Sequence, residues 1–313
     1  MNGIFTVKIL IRLSSRLENK FILKNSKIYP ALFSGLLLIG LSPILIKLAD
    51  APGIITTFYR MLIGAILLTP VFIIHVIKKK PTVKTKGIVF ASLAGLCLGT
   101  DMSLWVTGIV ASNATLPTLV GNLAPLWVGI GAIVFFKEKQ NRGFWSGLAV
   151  AIFGIGILIF KDLFQPGATL KGIILGFLAG IFYSGFHLFT QSGRKYLNTL
   201  VYLYFSTLAT GLTAAIYGIA LGVSFTGYSP ETWGYWLAMG VGVQVFGWFL
   251  INYVQGILPA SVVAPTLLGQ PIITAIIAIL FLGEKFTIWH ITGGIVIVIG
   301  IYVVHFKRAV NKA

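Results

Sequence analysis

Pro125-Leu-Trp-Val-Gly-Ile-Gly-Ala-Ile-Val-Phe-Phe-Lys-Glu-Lys139 returns later in the chain as Pro271-Ile-Ile-Thr-Ala-Ile-Ile-Ala-Ile-Leu-Phe-Leu-Gly-Glu-Lys285. The first proline, the glutamate and the final lysine all recur at an offset of 146 residues with no gap. Gly147 and Gly154 meet Gly293 and Gly300 at the same offset. Two Gly/Ile-rich apolar segments can resemble each other by composition alone. The shared turn residues and the unbroken spacing argue instead for one unit present twice.

The solvent of that unit follows from composition. The 313 residues are 57% hydrophobic and only 10% charged, with a mean hydropathy of +0.95. Soluble domains carry roughly 25% charged residues, so water is not the main solvent here. A bilayer core needs about 20 apolar residues per helix. The sequence predicts ten such helices, over 31–49, 54–77, 87–108, 112–136 and 142–160, then 171–190, 198–222, 231–254, 259–282 and 287–306. Strand-type alternation is absent, which argues against a β-barrel. The expected fold class is an all-α membrane protein of ten transmembrane helices.

Net charge of +17 raises the question of nucleic acid. The basic residues sit in short segments between apolar runs rather than along one soluble face, so nucleic acid is not an expected partner. With the N-terminus in the cytoplasm, nineteen Lys and Arg fall on the cytoplasmic side: the N-terminal cluster, Lys78-Lys79-Lys80 with Lys84 and Lys86, Lys137-Lys139-Arg142, Arg194-Lys195 and Lys307-Arg308-Lys312. Three fall opposite, Lys161, Lys171 and Lys285. The bias predicts a multi-pass protein of the plasma membrane, in bacterial terms the cytoplasmic membrane, with both termini cytoplasmic. Five helices per unit is an odd number, so the second unit enters the membrane upside down. That is the inverted repeat of secondary transporters.

The expected organisation is a basic N-terminal segment over 1–30, a first five-helix repeat over 31–160, a second over 171–306, and a tail over 307–313. The N-terminal segment lacks the uninterrupted apolar stretch and small-residue cleavage site of a signal peptide. Ile9, Leu10, Leu13, Leu17 and Phe21 fall at helical spacing, which fits an interfacial amphipathic helix, with a disordered tail as the alternative. Cys97 is the single cysteine, so no intrachain disulfide and no cysteine metal site are expected.

These features together resemble the drug/metabolite transporter superfamily, in its EamA-type branch of ten-helix carriers. The matching residues are the two helix ends Phe135-Phe-Lys-Glu-Lys139 and Phe281-Leu-Gly-Glu-Lys285, the Gly-rich helices Gly147-Leu-Ala-Val-Ala-Ile-Phe-Gly154 and Gly293-Gly-Ile-Val-Ile-Val-Ile-Gly300, Lys47, and Phe58-Tyr-Arg60. The resemblance is specific for fold and weak for substrate. It implies a central cavity lined by helices one, three, four, six, eight and nine.

Candidate site residues come from what is polar or broken inside apolar helices. Pro125 and Pro271 stand at matched places in helices four and nine, and paired interruptions point to a transporter site. Gly121-Asn122 and Gly269-Gln270 precede them. Asn122 and Gln270 either bind substrate or bond a neighbouring helix. Gln244, Trp248 and Asn252 are spaced i, i+4, i+8, one face of helix eight, which reads as cavity lining or inter-helix glue. Tyr183 and His187 make an i, i+4 pair on helix six, His187 being either a coupling group or an ordinary interfacial histidine. Asn113, Thr115 and Thr118 open helix four and are explained as well by capping as by binding.

Asp101 is the one acid inside an apolar helix, with Trp105 one turn away on the same face. At ~1.5 Å per residue, Asp101 lies about 12 Å below the outer end of helix three and Arg60 about 9 Å below the same side on helix two. One reading pairs them as a structural ion pair. The other has Asp101 binding a substrate ammonium group or a coupling proton, since intramembrane acids cost free energy to insert and mark function.

The expected function is a secondary transporter of a small metabolite, an amino acid or similar polar or amphipathic compound, working by alternating access with proton coupling as an option. No cofactor, metal or enzymatic role is expected. A P-loop, HExxH and GxSxG are all missing from the sequence. A channel-like permease and a polytopic membrane enzyme are the competing classes. The partners expected are the substrate, the lipid bilayer and, at most, a second copy of the chain packed through the Gly-rich helices five and ten.

Overall fold

A computed structural model describes residues 27–111, 117, 120–158, 160, 170–282 and 288–310. The amphipathic N-terminal segment, the cap residues Asn113, Thr115 and Thr118, and the Gly283-Glu284-Lys285 turn lie outside the described residues. Everything regular among the described residues is helical.

The helices are α1 (Lys27–Ala49), α2 (Gly53–Lys79), α3 (Thr85–Ala111), α4 (Ala124–Phe136), α5 (Arg142–Leu158), α6 (Leu170–Gly193), α7 (Thr199–Ala220), α8 (Pro230–Gln255), α9a (Ala260–Leu267), α9b (Gln270–Leu282) and α10 (Ile288–Val310). Seven spans, α1, α2, α3, α6, α7, α8 and Ala260–Ile277, are long and apolar enough to cross a membrane. Ala124–Phe136, Arg142–Ile157 and Ile291–His305 are apolar but shorter. The outer surface is apolar too: Ile66, Phe135, Leu212, Ile219 and Leu280 are all more than half exposed. A surface of that kind belongs in lipid.

Helix ends follow local chemistry. Ser229 caps α8 by accepting from the Thr232 amide, with Pro230 first in the helix and Glu231 in its first turn. Asn198 caps α7 by accepting from the Val201 amide. Lys80 ends α2 in the left-handed region (φ 42°), its N–H donating to the Val76 carbonyl.

The repeat seen in sequence is also a repeat of contacts. α3 packs on α6, and its counterpart α8 packs on α1. α3 packs on α7 as α8 packs on α2; α4 meets α6 as α9b meets α1. Two pairs map onto themselves, α2 with α7 and α5 with α10, and α4 also packs on α9a, the first part of its counterpart helix. This is the pattern that a twofold exchange of the two halves produces.

The matched glycines bring the backbones of α5 and α10 close together. A Cβ on Gly147 would stand 2.7 Å from the Gly300 carbonyl oxygen, and one on Gly154 would stand 3.0 Å from the Gly293 carbonyl oxygen. Each contact is the other with the halves exchanged. The glycine faces of α5 and α10 are therefore used on each other inside one chain.

Pro125 and Pro271 do not sit inside helices. Pro125 is in the first turn of α4, which begins at Ala124 after a turn at Asn122-Leu123. Pro271 is the second residue of α9b, after the turn Leu268-Gly269 that ends α9a. Proline is well placed in a first turn, where its missing N–H costs nothing. The chain breaks just before each proline, and i→i+3 bonds such as Leu123 N to Val120 O and Gly269 N to Thr266 O bridge the breaks.

One cluster fixes the lysine-rich end, where the α2–α3, α4–α5 and α6–α7 turns lie. Arg194 donates from Nε to the Asn252 carbonyl at 2.9 Å, from Nη1 to the Leu197 carbonyl, and from Nη2 to Thr199 Oγ1 at 2.7 Å. Burial lowers its guanidinium pKa to about 10. A Cβ on the adjacent Gly256 would stand 2.5 Å from Nη2. Arg194→Ala removes charged hydrogen bonds worth about 1.5–3 kcal/mol each. Its expected result is a clearly lower thermal unfolding midpoint, read in detergent, whereas substitution of the exposed neighbour Lys195 leaves the midpoint near the wild-type value.

Candidate functional site

Polar groups enter the core from four helices. α2 supplies Arg60, α3 supplies Asp101, α6 supplies Tyr183 and His187, and α8 supplies Gln244, Asn252 and Gln255. All but the half-buried Tyr183 are less than a tenth exposed. What distinguishes them is how little of their hydrogen-bonding capacity is met.

Arg60 donates from Nη1 to Ser42 Oγ of α1 at 3.1 Å, while Nε and Nη2 are buried without a partner. No hydrogen bond or ion pair reaches the Asp101 carboxylate from the described residues, and Arg60 does not pair with it. The two charges share a neighbour instead. Tyr183 is within electrostatic reach of both. The structure thus brings together an unmatched cation, an unmatched anion and a phenol from α2, α3 and α6. Trp105 stays half-buried one turn along α3.

A second group lies one turn along α6. His187 is fully buried, its ring 4.7 Å from that of Tyr183. Gln255 Nε2 lies 2.6 Å from His187 Nδ1. His187 Nε2, Gln255 Oε1 and Asn252 Oδ1 are buried without partners. Each such atom costs about 1–3 kcal/mol when left dry, and three of them lie on the neighbouring helices α6 and α8.

α8 has a reason to carry such groups. Its middle, Met239–Gly247, is a π-helix, a rare form that recurs at functional sites. Gln244 sits in it and donates to Thr207 Oγ1 of α7 at 2.8 Å, its own Oε1 unpartnered. Gly64 makes room for it, since a Cβ there would meet Gln244 Cγ at 2.8 Å. Trp248 is nearly buried and stands edge-on to Phe186 at 5.1 Å. This side chain packs the core.

The two amides at the helix breaks separate. Gln270 Nε2 donates to the Ile39 carbonyl of α1 at 3.4 Å, a bond between neighbouring helices. Asn122 is half-buried in the turn before α4. Around them the sequence holds a repeat that the longer match hides: Pro117-Thr-Leu-Val-Gly-Asn122 and Pro265-Thr-Leu-Leu-Gly-Gln270 are 148 residues apart, two more than the repeat that follows. The extra Leu123-Ala124 breaks the register.

A different acid is fully engaged. Glu138, in the turn after α4, accepts from Gln191 Nε2 at 2.8 Å and from Ser261 Oγ at 2.7 Å. Glu138 follows the helix end, outside any helical periodicity, and its recurrence as Glu284 is the sequence signal for it. A groove of about 520 Å³ lies elsewhere, between α9b and α10, and is lined by Ile272, Ile276, Ile291 and Ile295 among others. It is apolar and holds none of these groups. Among the described residues no three His, Cys, Asp or Glu stand together as a metal site.

The profile of the EamA-like transporter family matches residues 26–160 and 170–306, one match for each half. The chain belongs to the EamA-like transporter family. Among its relatives, an uncharacterized transporter of Archaeoglobus fulgidus is 25% identical over 263 residues, covering 80% of this chain and 87% of the relative. The uncharacterized transporter YdfC of Bacillus subtilis is 24% identical over 254 residues, covering 81% of each chain. A WAT1-related protein of Arabidopsis thaliana is 31% identical over 137 residues, covering 41% of this chain and 38% of the relative. One crystal structure aligns with a TM-score of 0.76 at 14% identity, covering 90% of this chain and 98% of the other, which extends the shared fold over nearly the whole molecule. This EamA-like protein is thus a multi-pass membrane protein and a transporter by family; among the described residues its buried polar atoms without partners lie on α2, α6 and α8, with Trp127 Nε1 on α4, and α3 adds the buried Asp101.

Proposed function

We propose that the protein is a secondary carrier that moves a small zwitterionic metabolite, an amino acid or a compound of similar polarity, by alternating access. The observation that carries this reading is the pair Arg60 and Asp101. Opposite charges buried at similar depth normally pair, since an isolated buried charge is costly. These two do not pair, yet both are within electrostatic reach of one phenol, Tyr183. A zwitterion complements them: its carboxylate takes the open Nε and Nη2 edge of Arg60, where bidentate binding is available, and its ammonium takes Asp101. The unmet amides and imidazole of α6 and α8 then line the next turn of the route.

The carrier unit is one chain lying in the plasma membrane with its lysine-rich end and both termini cytoplasmic, as the distribution of Lys and Arg supports. Paired breaks in α4 and α9 give each half a segment able to pivot.

Purified protein in liposomes tests the reading. Zwitterionic amino acids should accumulate or exchange, and amines or carboxylic acids of the same size should compete poorly. Equal competition by a simple amine rules out the two-charge site. Imposing a pH gradient in the same assay reads proton coupling: a change in accumulation assigns Asp101 a second role as proton carrier, and no change leaves it as a binding group alone.

A further inference from the structure

We infer that Glu138 is the latch of the gate at the lysine-rich end, a positioning residue that sets whether that end of the carrier is closed. This rests on the carrier reading above. The Lys137-Glu138-Lys139 turn shows how the residue is aimed. Lys137 takes a left-handed conformation (φ 54°) and the Glu138 amide donates back to the Ala132 carbonyl at 3.1 Å, so the chain reverses. Lys137 and Lys139 are exposed, and Glu138 turns under the helices.

There its carboxylate ties three elements. Oε1 accepts from Gln191 Nε2 of α6 at 2.8 Å. Oε2 accepts from Ser261 Oγ of α9a at 2.7 Å and from Gln140 Nε2 at 3.1 Å. Gln191 completes the tie, its Oε1 accepting the Ala260 amide at 2.6 Å. The carboxylate thereby also sits at the N-terminus of α9a, the favourable end of the helix dipole.

The position of the tie gives it a role beyond capping. Tyr183, His187 and Gln191 follow at i, i+4, i+8 on one face of α6. The first faces the two unpaired charges and the second the unmet amides of α8. The third is held by Glu138. The latch therefore stands at the end of the polar route. Just inside it an apolar plug of Val128, Leu188, Ala260 and Ala264 joins the same three elements. Two of them, α4 and α9a, are the segments that adjoin the breaks, so releasing one carboxylate frees both at once.

Cysteine labelling of the purified, substrate-free protein tests this. Ala264→Cys in a Cys97→Ala background reports on the plug, and Ala49→Cys in the same background, buried at the far end of α1 where Thr232 of α8 bonds its carbonyl, reports on the opposite end of the core. With a polar maleimide, Glu138→Gln should speed labelling at position 264 by about tenfold or more, as expected for losing a charge-assisted hydrogen bond, and leave labelling at position 49 unchanged or slower. Ser261→Ala combined with Gln191→Leu should act in the same direction if Glu138→Gln fails to fold. Faster labelling at both sites shows general loosening and overturns the proposal, as does no change at 264. Zwitterion binding to the same variants separates the two claims. A latch response without any zwitterion binding refutes the substrate reading alone, and normal binding without a latch response refutes the latch alone.

Discussion

Asp101→Asn is expected to reduce transport by more than about 100-fold while membrane yield and thermal stability stay close to wild type. The carboxylate has no hydrogen bond or ion pair to lose among the described residues, so its removal leaves no partner stranded. Removing an intramembrane charge should even favour insertion slightly. What it removes is the counter-charge for a substrate ammonium, and a buried charge pair with a ligand is worth several kcal/mol when one member is deleted. Arg60→Gln should behave alike, with loss of the Ser42 bond adding a small stability cost. The double variant decides between binding and structure. In a structural ion pair, neutralising the second partner restores folding and yield. Here the single variants fold and the double one remains inactive.

Substituting the glycines between α5 and α10 should have the largest effect on folding. A Cβ on Gly300 would lie 2.4 Å from the Ala151 amide nitrogen, and one on Gly147 2.7 Å from the Gly300 carbonyl. Both obstacles are backbone and cannot swing aside. Gly300→Val or Gly147→Val must separate two helices that pack closely without hydrophobic force between them in lipid. Folded yield, read by size-exclusion chromatography in detergent, should collapse. Gly156→Ala is the control, since a Cβ there meets nothing within 4 Å, and Gly294→Ala another, with only ordinary contacts to Ile272. Equal tolerance of all four changes would contradict the observed α5–α10 packing.

The repeat that organises this molecule was readable because a membrane interior leaves few residues free to vary: proline, glycine and the charged turn had to recur for two inverted halves to form matching contacts. Gly147 and Gly300 illustrate it, predicted as equivalents of Gly293 and Gly154 and found touching across the axis. Asp101 and Arg60 were readable too, as charges inside long apolar helices. Whether they pair was not, because that depends on the rotation of α2 and α3, which α6 and α7 set through contacts distant in sequence. Prolines 125 and 271 announced the breaks, but the breaks fall two to three residues earlier, where turns of i→i+3 bonds form. The tie between Glu138, Gln191 and Ser261 was not legible for another reason. Gln191 and Ser261 lie 53 and 123 residues from Glu138 in the chain, and no helical period links the three.

The central claim is that Arg60 and Asp101 hold the two ends of one zwitterion. Direct binding of a radiolabelled zwitterionic amino acid to purified wild-type, Asp101→Asn and Arg60→Gln proteins measures it, with the corresponding amine and carboxylic acid as competitors. The account predicts saturable binding to wild type, loss in both variants, and competition by either half-ligand at least about tenfold weaker than by the zwitterion. Binding that survives either substitution, or an amine that competes as well as the zwitterion, would contradict it.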